Sequence, residues 1–573
     1  MLDLLIAGGF VVDGTGAPGT RADVGVRDGR IVALGSTDEP ARRRIDADGL
    51  VVAPGIVDIH THYDAQVFWD ASLTPSSLHG ITTVVGGNCG FSVAPLTPEA
   101  GPYLMQMLAK VEGMPLESLE QGVPWDWRSF GDYLDRLEGT LAINAGFLVG
   151  HSALRRVAMG PAAIGEQATP EHIARMQSLL HESLAAGALG FSSSQATTHN
   201  DGDGTPVPSR FATDEELALL CSTVGDHPGT TLEFIPTVGD FGEEHCETMT
   251  RMSLAARRSL NWNVLVVNRE FPEMHESQLR ASDHAAARGA RVVALTLPYD
   301  LLIRVNLASG FLFDTLPGWA PVVALPLDER IRALSDPGVR EKLKKGWAEE
   351  PNDLIKSLMN WENFHIAEAF TPEIEPLLER RIGDIARERG RDAFDVMLDI
   401  AISEQLRTSF HPLAWQPSDA TWRARAELWR DERTVIGASD SGAHLDMMDS
   451  FSYAVQVLGP SVRERQLLSL EEAIHQLTCV PAALYGLRDR GRIAAGAWAD
   501  LVLFDPARVG PGQTHTRPDL PAGASRLYAE PEGIEHVLVN GSEIVRGKSL
   551  TGERPGRVLR SGQDTRTVEL SGA

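Results

Sequence analysis

Residues 54–70 read PGIVDIHTHYDAQVFWD, and this stretch decides the fold. Its apolar start is typical of a short strand buried on both faces, and the run ends in His60 and His62. Side chains at positions i and i+2 of a strand point to the same side. The two imidazoles are therefore aimed at one point at the carboxyl end of a strand, which is where parallel α/β barrels carry their chemistry.

Seven further apolar runs end in polar or small residues, as buried parallel strands do. They read GITTVVGGNCG (80–90), AINAGFLVGH (142–151), AGALGFSSS (186–194), TTLEFIP (230–236), NWNVLVVN (261–268), ARVVALTLPYD (290–300) and RTVIGASD (433–440). Helical patterns separate several of these runs, and two patterns begin with a capping box, Thr213 with Glu216 and Ser469 with Glu472. Eight strands with helical crossovers predict an α/β fold, a (β/α)8 barrel of the TIM type. A doubly wound sheet is the alternative.

The two ends of the chain differ from its middle. Residues 1–53 and 484–573 contain short alternating strands separated by glycine turns, such as DLLIAGGFVVDGTG and GIEHVLVNGSEIVRGK. They predict one small β-sandwich domain formed by both termini, and residues 54–483 would form the barrel. Residues from about 300 to 432 are rich in charge and do not fit one strand–helix unit, so we expect a largely helical insertion there.

Composition narrows the class of protein. The 573 residues are 43% hydrophobic, which is enough for a sizeable core, and the net charge of −26 argues against nucleic acid or an anionic membrane as partner. No run approaches the roughly 20 apolar residues that a membrane span needs, and the start lacks the pattern of a signal peptide. Four cysteines are too few for a disulfide framework at this length. We therefore expect a cytoplasmic protein that acts on a small-molecule substrate; homo-oligomer formation is left open.

Two other strand ends carry residues of the kind that bind metals. Cys89, in ITTVVGGNCGFSVAP, offers a thiolate suited to zinc, and the glycines before it allow close approach of the backbone. The alternative is a small buried hydrophobic side chain. Asp440 ends the last run and is either a helix N-cap or a carboxylate that touches a metal and moves a proton. Together with His60 and His62, these residues predict a zinc site.

Several segments resemble the amidohydrolase superfamily and, within it, the N-acyl-D-amino-acid deacylase (D-aminoacylase) family. They are APGIVDIHTHYD, GNCGFSVAP, GHSALRRVAMG, GALGFSS, GASDSGAHLD, RGRIAAGAWADLVLFDP and VNGSEIVRGKSLTGERPGRVLR, and they span nearly the whole chain. The resemblance implies a zinc-dependent hydrolase that holds one or two Zn²⁺ ions on a (β/α)8 barrel. Its expected reaction is cleavage of the amide bond of an N-acyl amino acid, expected to be a D-amino acid, by metal-activated water.

The resemblance also assigns roles to individual residues. His60 and His62 match the paired histidine ligands, and Cys89 matches the cysteine ligand. Asp440 matches the catalytic aspartate. The remaining matches, His151 in LVGHSALR and Tyr299 in LTLPYD, are expected near the substrate, although both residue types are also common as buried structural groups.

The chain departs from the family at the fifth and sixth strands, where the deacylases supply two more metal histidines. Glu233 stands in the fifth run, and an unpaired carboxylate there would be costly, so we predict metal ligation with an ion pair to an arginine as the alternative. Asn268 ends the sixth run and could bind a metal weakly or hold substrate. His444 and His199 are spare histidines on expected loops, and either could replace a missing metal ligand. His444, four residues past Asp440, is the better candidate and is also placed among the expected substrate contacts.

Three functions remain open from the sequence. The first is hydrolysis of an N-acyl amino acid or a related linear amide. The second, motivated by the altered fifth and sixth strands, is hydrolysis of a cyclic amide, a carbamate or a lactone. The third is a non-catalytic binding or scaffold protein that has kept only the fold.

Overall fold

Parallel strands form the centre of the molecule. The structure, a computed structural model, describes residues 1–267, 272–299, 303–412 and 418–570. Each of the eight apolar runs contains a strand. The strands are Ile56–Asp58, Ile81–Gly86, Asn144–Phe147 continued by Val149–Gly150, Gly190–Ser194, Thr231–Ile235, Leu260–Leu265, Val292–Thr296 and Thr434–Ile436. All pairings among them are parallel, which confirms the predicted α/β class.

Neighbouring strands in these sheets follow one another in chain order. The first three form a three-stranded sheet, and the segment from Val149 to Ile436 supplies a six-stranded sheet. A parallel bridge joins Thr61 to Ser441, and the His62 N–H donates to the Ser441 carbonyl at 2.8 Å. The ends of the first and last strands are therefore adjacent. The closed barrel itself stays a prediction.

Helices connect the strands and cover the sheets. Apart from those of the separate insertion core, they are Gly101–Val111, Leu116–Gly122, Phe130–Leu137, His151–Met159, Pro170–Ala185, Asp214–Gly225, Glu243–Ala256, Pro272–Ala286, Asp419–Trp429, Tyr453–Gln456, the π-helix Val457–Glu464, Leu470–Leu477 and Cys479–Leu484. Asp419–Trp429 falls within the predicted bounds of the insertion, about 300–432, but its Trp422 and Trp429 belong to the same buried cluster as the other helices of this group. Apolar residues of these helices belong to one large buried cluster shared with the strands. No helix in the described ranges has the length and apolar character required to cross a membrane.

The two predicted capping boxes have different outcomes. Ser469 and Glu472 form the full reciprocal box, as predicted. Thr213 accepts from the Glu216 N–H at 3.2 Å, but the carboxylate of Glu216 turns inward and bonds Arg155 instead of returning to the cap. The second box is therefore only half formed, because a buried cation competes for the carboxylate.

Removal of the complete cap is expected to have a modest cost. Ser469→Ala should lower the free energy of unfolding by about 1 kcal/mol, because the Glu472 N–H loses its acceptor. Chemical denaturation followed by far-UV circular dichroism measures this change. Ser469→Thr, which keeps a capping hydroxyl, should retain most of the stability, and equal losses in both variants would contradict the assignment.

Both chain termini contribute to one nine-stranded sheet. Its strands are Leu2–Val11, Thr20–Arg27, Arg30–Leu34, Ala41–Asp46, Val51–Pro54, Leu501–Phe504, Ile534–Val539, Ser542–Arg546 and Ser549–Leu550. The central pairing is antiparallel between Val51–Pro54 and Leu501–Phe504, so residues about 450 positions apart become neighbours. A buried cluster including Ile6, Val24 and Leu503 lies in this part of the molecule. The predicted sandwich arrangement and its boundaries stay predictions.

The predicted insertion has its own core. Its helices are Ala320–Val323, Leu327–Ser335, Pro337–Ala348, Asp353–Leu358, Ile382–Arg389 and Ala393–Ser403. A small antiparallel sheet of Val305–Asn306, Ser409–His411 and His365–Glu368 accompanies them. Their apolar side chains form a separate buried cluster that includes Trp319 and Phe394. The region is therefore mainly helical with a short sheet, which the sequence pattern did not indicate.

Candidate metal centre

Four side chains from three strand ends meet at one point. His60 and His62 follow the first parallel strand, Cys89 follows the second, and Asp440 follows the last. One donor atom from each of the four lies within 4.8 Å of the other three. The Cys89 Sγ lies 3.3 Å from His60 Nε2 and 3.6 Å from His62 Nε2. The Asp440 Oδ1 lies 2.9 Å from His62 Nε2 and 3.4 Å from His60 Nε2.

These separations fit one tetrahedral metal ion. Metal–ligand distances of about 2.0–2.3 Å in a tetrahedron place neighbouring donors about 3.3–3.6 Å apart. Three of the four separations given above, 3.3, 3.4 and 3.6 Å, fall in that range. The fourth, 2.9 Å between Asp440 and His62, is shorter. Two imidazole nitrogens, a sulfur and a carboxylate oxygen are also the donor types that zinc prefers.

The backbone around Cys89 holds its thiol toward the histidines. Cys89 has φ 57°, an unusual left-handed conformation for a residue with a side chain. Its N–H donates to Glu233 Oε2 at 2.8 Å, and the Gly90 N–H donates to Ser192 Oγ at 3.0 Å. Gly87 precedes it with φ 75°, and a Cβ there would lie 2.1 Å from the Leu148 carbonyl oxygen. The local glycines and these bonds together fix the loop.

Asp440 reaches the site from a similarly constrained backbone. Its φ is 57°, and its N–H donates to the His60 carbonyl at 3.0 Å. His60, His62 and Cys89 are almost completely buried, whereas 24% of the Asp440 side chain is exposed. Asp440 is therefore the member of the group that can meet a molecule arriving from outside.

Carboxylates dominate the electrostatics of the site. Burial raises the pKa of the Cys89 thiol, and Glu233 and Asp440 raise it further, well above its usual range. Burial opposes ionisation of Asp440, but hydrogen bonds from His60 and His62 outweigh it and hold its pKa well below the usual range. A cation between these groups would offset the buried negative charge.

The second nitrogen of His62 has a partner that sequence reasoning missed. His62 Nδ1 lies 3.3 Å from Glu112 Oε1, and the Glu112 side chain is buried. Burial lowers the pKa of His62, but Glu112 and Asp440 outweigh it and raise the pKa to about 10. A carboxylate on the outer nitrogen fixes the orientation of a ligand imidazole. Glu112 directly follows the helix Gly101–Val111, and nothing in its local pattern pointed to the site.

The fifth and sixth strands contribute a carboxylate and an amide. Glu233 is fully buried; its Oε2 accepts from Cys89, and its Oε1 lies 4.0 Å from His60 Nδ1. Burial raises the pKa of Glu233 to about 8. Asn263 Nδ2 lies 3.3 Å from His60 Nε2. The sequence had pointed to Asn268 on this strand, and Asn268 lies outside the described residues.

The predicted substrate contacts are placed in different surroundings. His151 is buried, with Nδ1 2.8 Å from Ser193 Oγ and Nε2 2.8 Å from Glu216 Oε1, so both nitrogens are engaged. His444 Nδ1 is buried and has no hydrogen-bond partner among the described residues. Tyr299 is buried too; burial raises the pKa of its hydroxyl well above the usual range, while a hydrogen bond with Ser452 lowers it. His444 also donates its N–H to the Glu112 carbonyl at 2.5 Å, which places it beside the site.

His199, the other spare histidine, is less available for binding a metal ion or a substrate. Its Nδ1 lies 2.8 Å from Ser194 Oγ, and its ring packs on Phe91 with centroids 5.1 Å apart. Burial lowers the pKa of His199 to about 3. The ring is therefore a neutral, packed group.

A cleft of about 580 Å³ adjoins the centre. Gly113 lines it and directly follows Glu112, and a Cβ on Gly113 would lie 3.2 Å from the His444 Cα. Phe311 lines the cleft and packs against the His444 ring with centroids 5.0 Å apart. Phe311 and Phe370 come from the insertion, so that region supplies one wall. The cleft has room for a small molecule close to Glu112 and His444.

Comparison with known proteins places this chain in a family. The amidohydrolase family model matches residues 43–545. D-aminoacylase of Alcaligenes xylosoxydans xylosoxydans is 31% identical over 569 residues, which cover 97% of each chain. A crystal structure of D-aminoacylase superposes with a TM-score of 0.64 at 28% identity, covering 98% of this chain and 100% of the other. N-acyl-D-glutamate deacylase from Bordetella bronchiseptica, complexed with zinc and a phosphonate inhibitor, has a TM-score of 0.61 at 26% identity with the same coverage. The chain therefore belongs to the amidohydrolase family, within its N-acyl-D-amino-acid deacylase branch.

Proposed function

We propose that this protein is a zinc-dependent hydrolase that cleaves the amide bond of an N-acyl-D-amino acid. The convergence of His60, His62, Cys89 and Asp440 at tetrahedral separations is the observation that carries the proposal. When bound, a zinc ion would polarise the substrate carbonyl and lower the pKa of a water molecule. A scaffold protein would gain nothing from three buried donors and one partly exposed donor with this spacing.

The residues of the chain have separate tasks in this proposal. His60, His62 and Cys89 hold the ion, and Glu112 orients His62 from its outer nitrogen. Asp440 touches the ion and, through its exposed side, accepts the proton of the attacking water and delivers it to the leaving amine. Burial opposes its ionisation, but hydrogen bonds from His60 and His62 lower its pKa, so it is ionised before the reaction.

The substrate would lie in the cleft beside the centre. His444 Nδ1, which has no hydrogen-bond partner among the described residues, supports a role for His444 in binding a polar group of the substrate. Tyr299 and Asn268 remain candidates for the same role. His151 is better explained as a support for the core, since both of its nitrogens are already bonded. The apolar side chains of Met114 and Phe311 in the cleft wall suit an acyl group.

We also propose the architecture that carries this site. The adjacency of the first and last parallel strands supports closure into a (β/α)8 barrel over residues 54–483, with the insertion at about 300–432. The nine-stranded sheet from residues 1–53 and 484–573 would form the small β-sandwich.

Metal removal tests the proposal directly. Dialysis against a chelator should lower hydrolysis of N-acetyl-D-amino acids by more than about a hundredfold, and added Zn²⁺ should restore it. The assay should compare N-acyl D- and L-amino acids, cyclic amides, carbamates and lactones at equal concentration. Hydrolysis that survives chelation and zinc depletion, or a cyclic amide or ester as the best substrate, would contradict the proposal.

A further inference from the structure

The four donors lie close enough together to serve a single ion. Four of the six donor pairs lie 2.9–3.6 Å apart and all six lie within 4.8 Å, so one ion with ordinary bond lengths could contact all four. No further histidine or cysteine in the described ranges belongs to the donor group, which consists of His60, His62, Cys89 and Asp440. A second ion beside the first would have to take its ligands from the other buried polar groups nearby.

Glu233 is one such group, and it lies outside the group of four donors. Its Oε2 accepts the Cys89 N–H at 2.8 Å, and its Oε1 is 4.0 Å from His60 Nδ1. Nδ1 is the outer nitrogen of that ring, since Nε2 is the one that faces Cys89 and Asp440. Glu233 therefore faces the backbone N–H of Cys89 and the outer nitrogen of His60, as Glu112 faces the outer nitrogen of His62.

Asn263 is the other candidate, and its chemistry is unfavourable. Its amide lies 3.3 Å from His60 Nε2, within hydrogen-bond reach of that ring. Zinc is bound in proteins mainly by thiolate, imidazole and carboxylate, and an amide oxygen is a weak substitute. With Cys89 already serving the first ion, a second ion would be left with Asn263 and one oxygen of Glu233.

We propose that this protein binds a single zinc ion per chain and that Glu233 is a positioning residue, which holds the Cys89 loop and faces the outer nitrogen of His60. This inference rests on the proposed metal centre and gives Glu233 a different role from the ligand role predicted from sequence. The positive φ of Cys89 explains why a positioning group is needed: an acceptor on its N–H stabilises a conformation that costs about 1 kcal/mol or more.

The zinc count separates this inference from the proposed function. The full chain is equilibrated with excess Zn²⁺, passed through a desalting column, and analysed for zinc and protein by mass spectrometry of the elements and amino-acid analysis. One zinc per chain is expected. Two per chain would overturn the single-ion inference and leave the hydrolase proposal intact, whereas none would overturn the metal centre itself.

Two variants of Glu233 test the positioning role with a spectroscopic readout. In the Co²⁺-loaded protein, the thiolate-to-metal charge-transfer band reports whether Cys89 is bound to the ion. Glu233→Gln keeps an acceptor for the Cys89 N–H and should keep both the band and one ion per chain. Glu233→Leu removes the acceptor and should weaken metal binding at least about tenfold, with a smaller charge-transfer band.

The outcomes of this series are decisive. Loss of the ion in Glu233→Gln would show that Glu233 is a ligand and overturn the inference, and this variant decides the matter even where Glu233→Leu fails to fold. Wild-type binding and an unchanged band in folded Glu233→Leu would also overturn it. Glu120→Gln, the same change at an exposed position, is the matched control and should leave the zinc count and the cobalt spectrum unchanged.

Discussion

Asp440→Asn is expected to reduce kcat by at least about a thousandfold, because general-base catalysis contributes about 10²–10⁴-fold. Among the described residues, Asp440 supplies the one carboxylate of the donor group, and 24% of its side chain is exposed. Asparagine has nearly the same shape, and its amide oxygen can still face His62, from which Asp440 Oδ1 lies 2.9 Å. It cannot accept a proton. Steady-state hydrolysis of an N-acetyl-D-amino acid by zinc-loaded enzyme measures the effect.

The fold and the metal content provide the controls for this variant. Far-UV circular dichroism and the thermal midpoint should match those of the wild type, and the zinc count should be determined on the same sample that is assayed. Asp48→Asn, at an exposed position in an ion pair with Arg21, should leave kcat unchanged. A zinc-loaded Asp440→Asn enzyme with more than about a tenth of the wild-type kcat would remove Asp440 from the proton-transfer role.

The strands were predictable because their signal is local. A short apolar run bounded by glycine or polar residues is a property of five to eight neighbouring positions, and the fifth strand, Thr231–Ile235, is found in the run that predicted it. The donors at three strand ends were predictable for the same reason, since the carboxyl ends of parallel strands share one edge of a sheet.

The partners of those donors were not predictable from local pattern. Glu112 meets His62 across 50 positions of sequence, and only the packing of the helix that precedes it brings the two together. On the sixth strand, the sequence pattern pointed to Asn268, and the described residue next to His60 is Asn263. Strand register decides which side chain faces inward, and the pattern does not contain the register. Contacts of this kind depend on tertiary packing, which a pattern of neighbouring residues does not contain.

Glu216 shows how tertiary packing changes a local expectation. Its spacing from Thr213 predicted a capping box, and the backbone half of that box is present. The carboxylate is instead shared between His151 and Arg155, with Arg155 Nη1 2.6 and 2.5 Å from its two oxygens. A buried guanidinium needs a counter-charge more than a helix end needs a second cap, because the exposed cap can be solvated by water.

Glu216→Gln is therefore expected to lower the free energy of unfolding by about 3–5 kcal/mol. Arg155 and Glu216 are almost completely buried, and the substitution leaves the guanidinium without its counter-charge. Burial opposes ionisation of Glu216, but its bonds to His151 and Arg155 hold its pKa below the usual range, so we expect it to be ionised in the folded protein. Urea unfolding followed by tryptophan fluorescence and circular dichroism measures the change.

A double variant distinguishes an unpaired buried charge from a simple loss of packing. Glu216→Leu combined with Arg155→Met removes both charges and should be less destabilised than the sum of the two single variants, since replacing a buried pair by apolar groups is often close to neutral. Asp48→Asn breaks the exposed pair with Arg21, where both side chains are more than half exposed, and should cost no more than about 1 kcal/mol. Additive effects of the two buried substitutions would show that the Arg155–Glu216 charge pair is not what stabilises this part of the core.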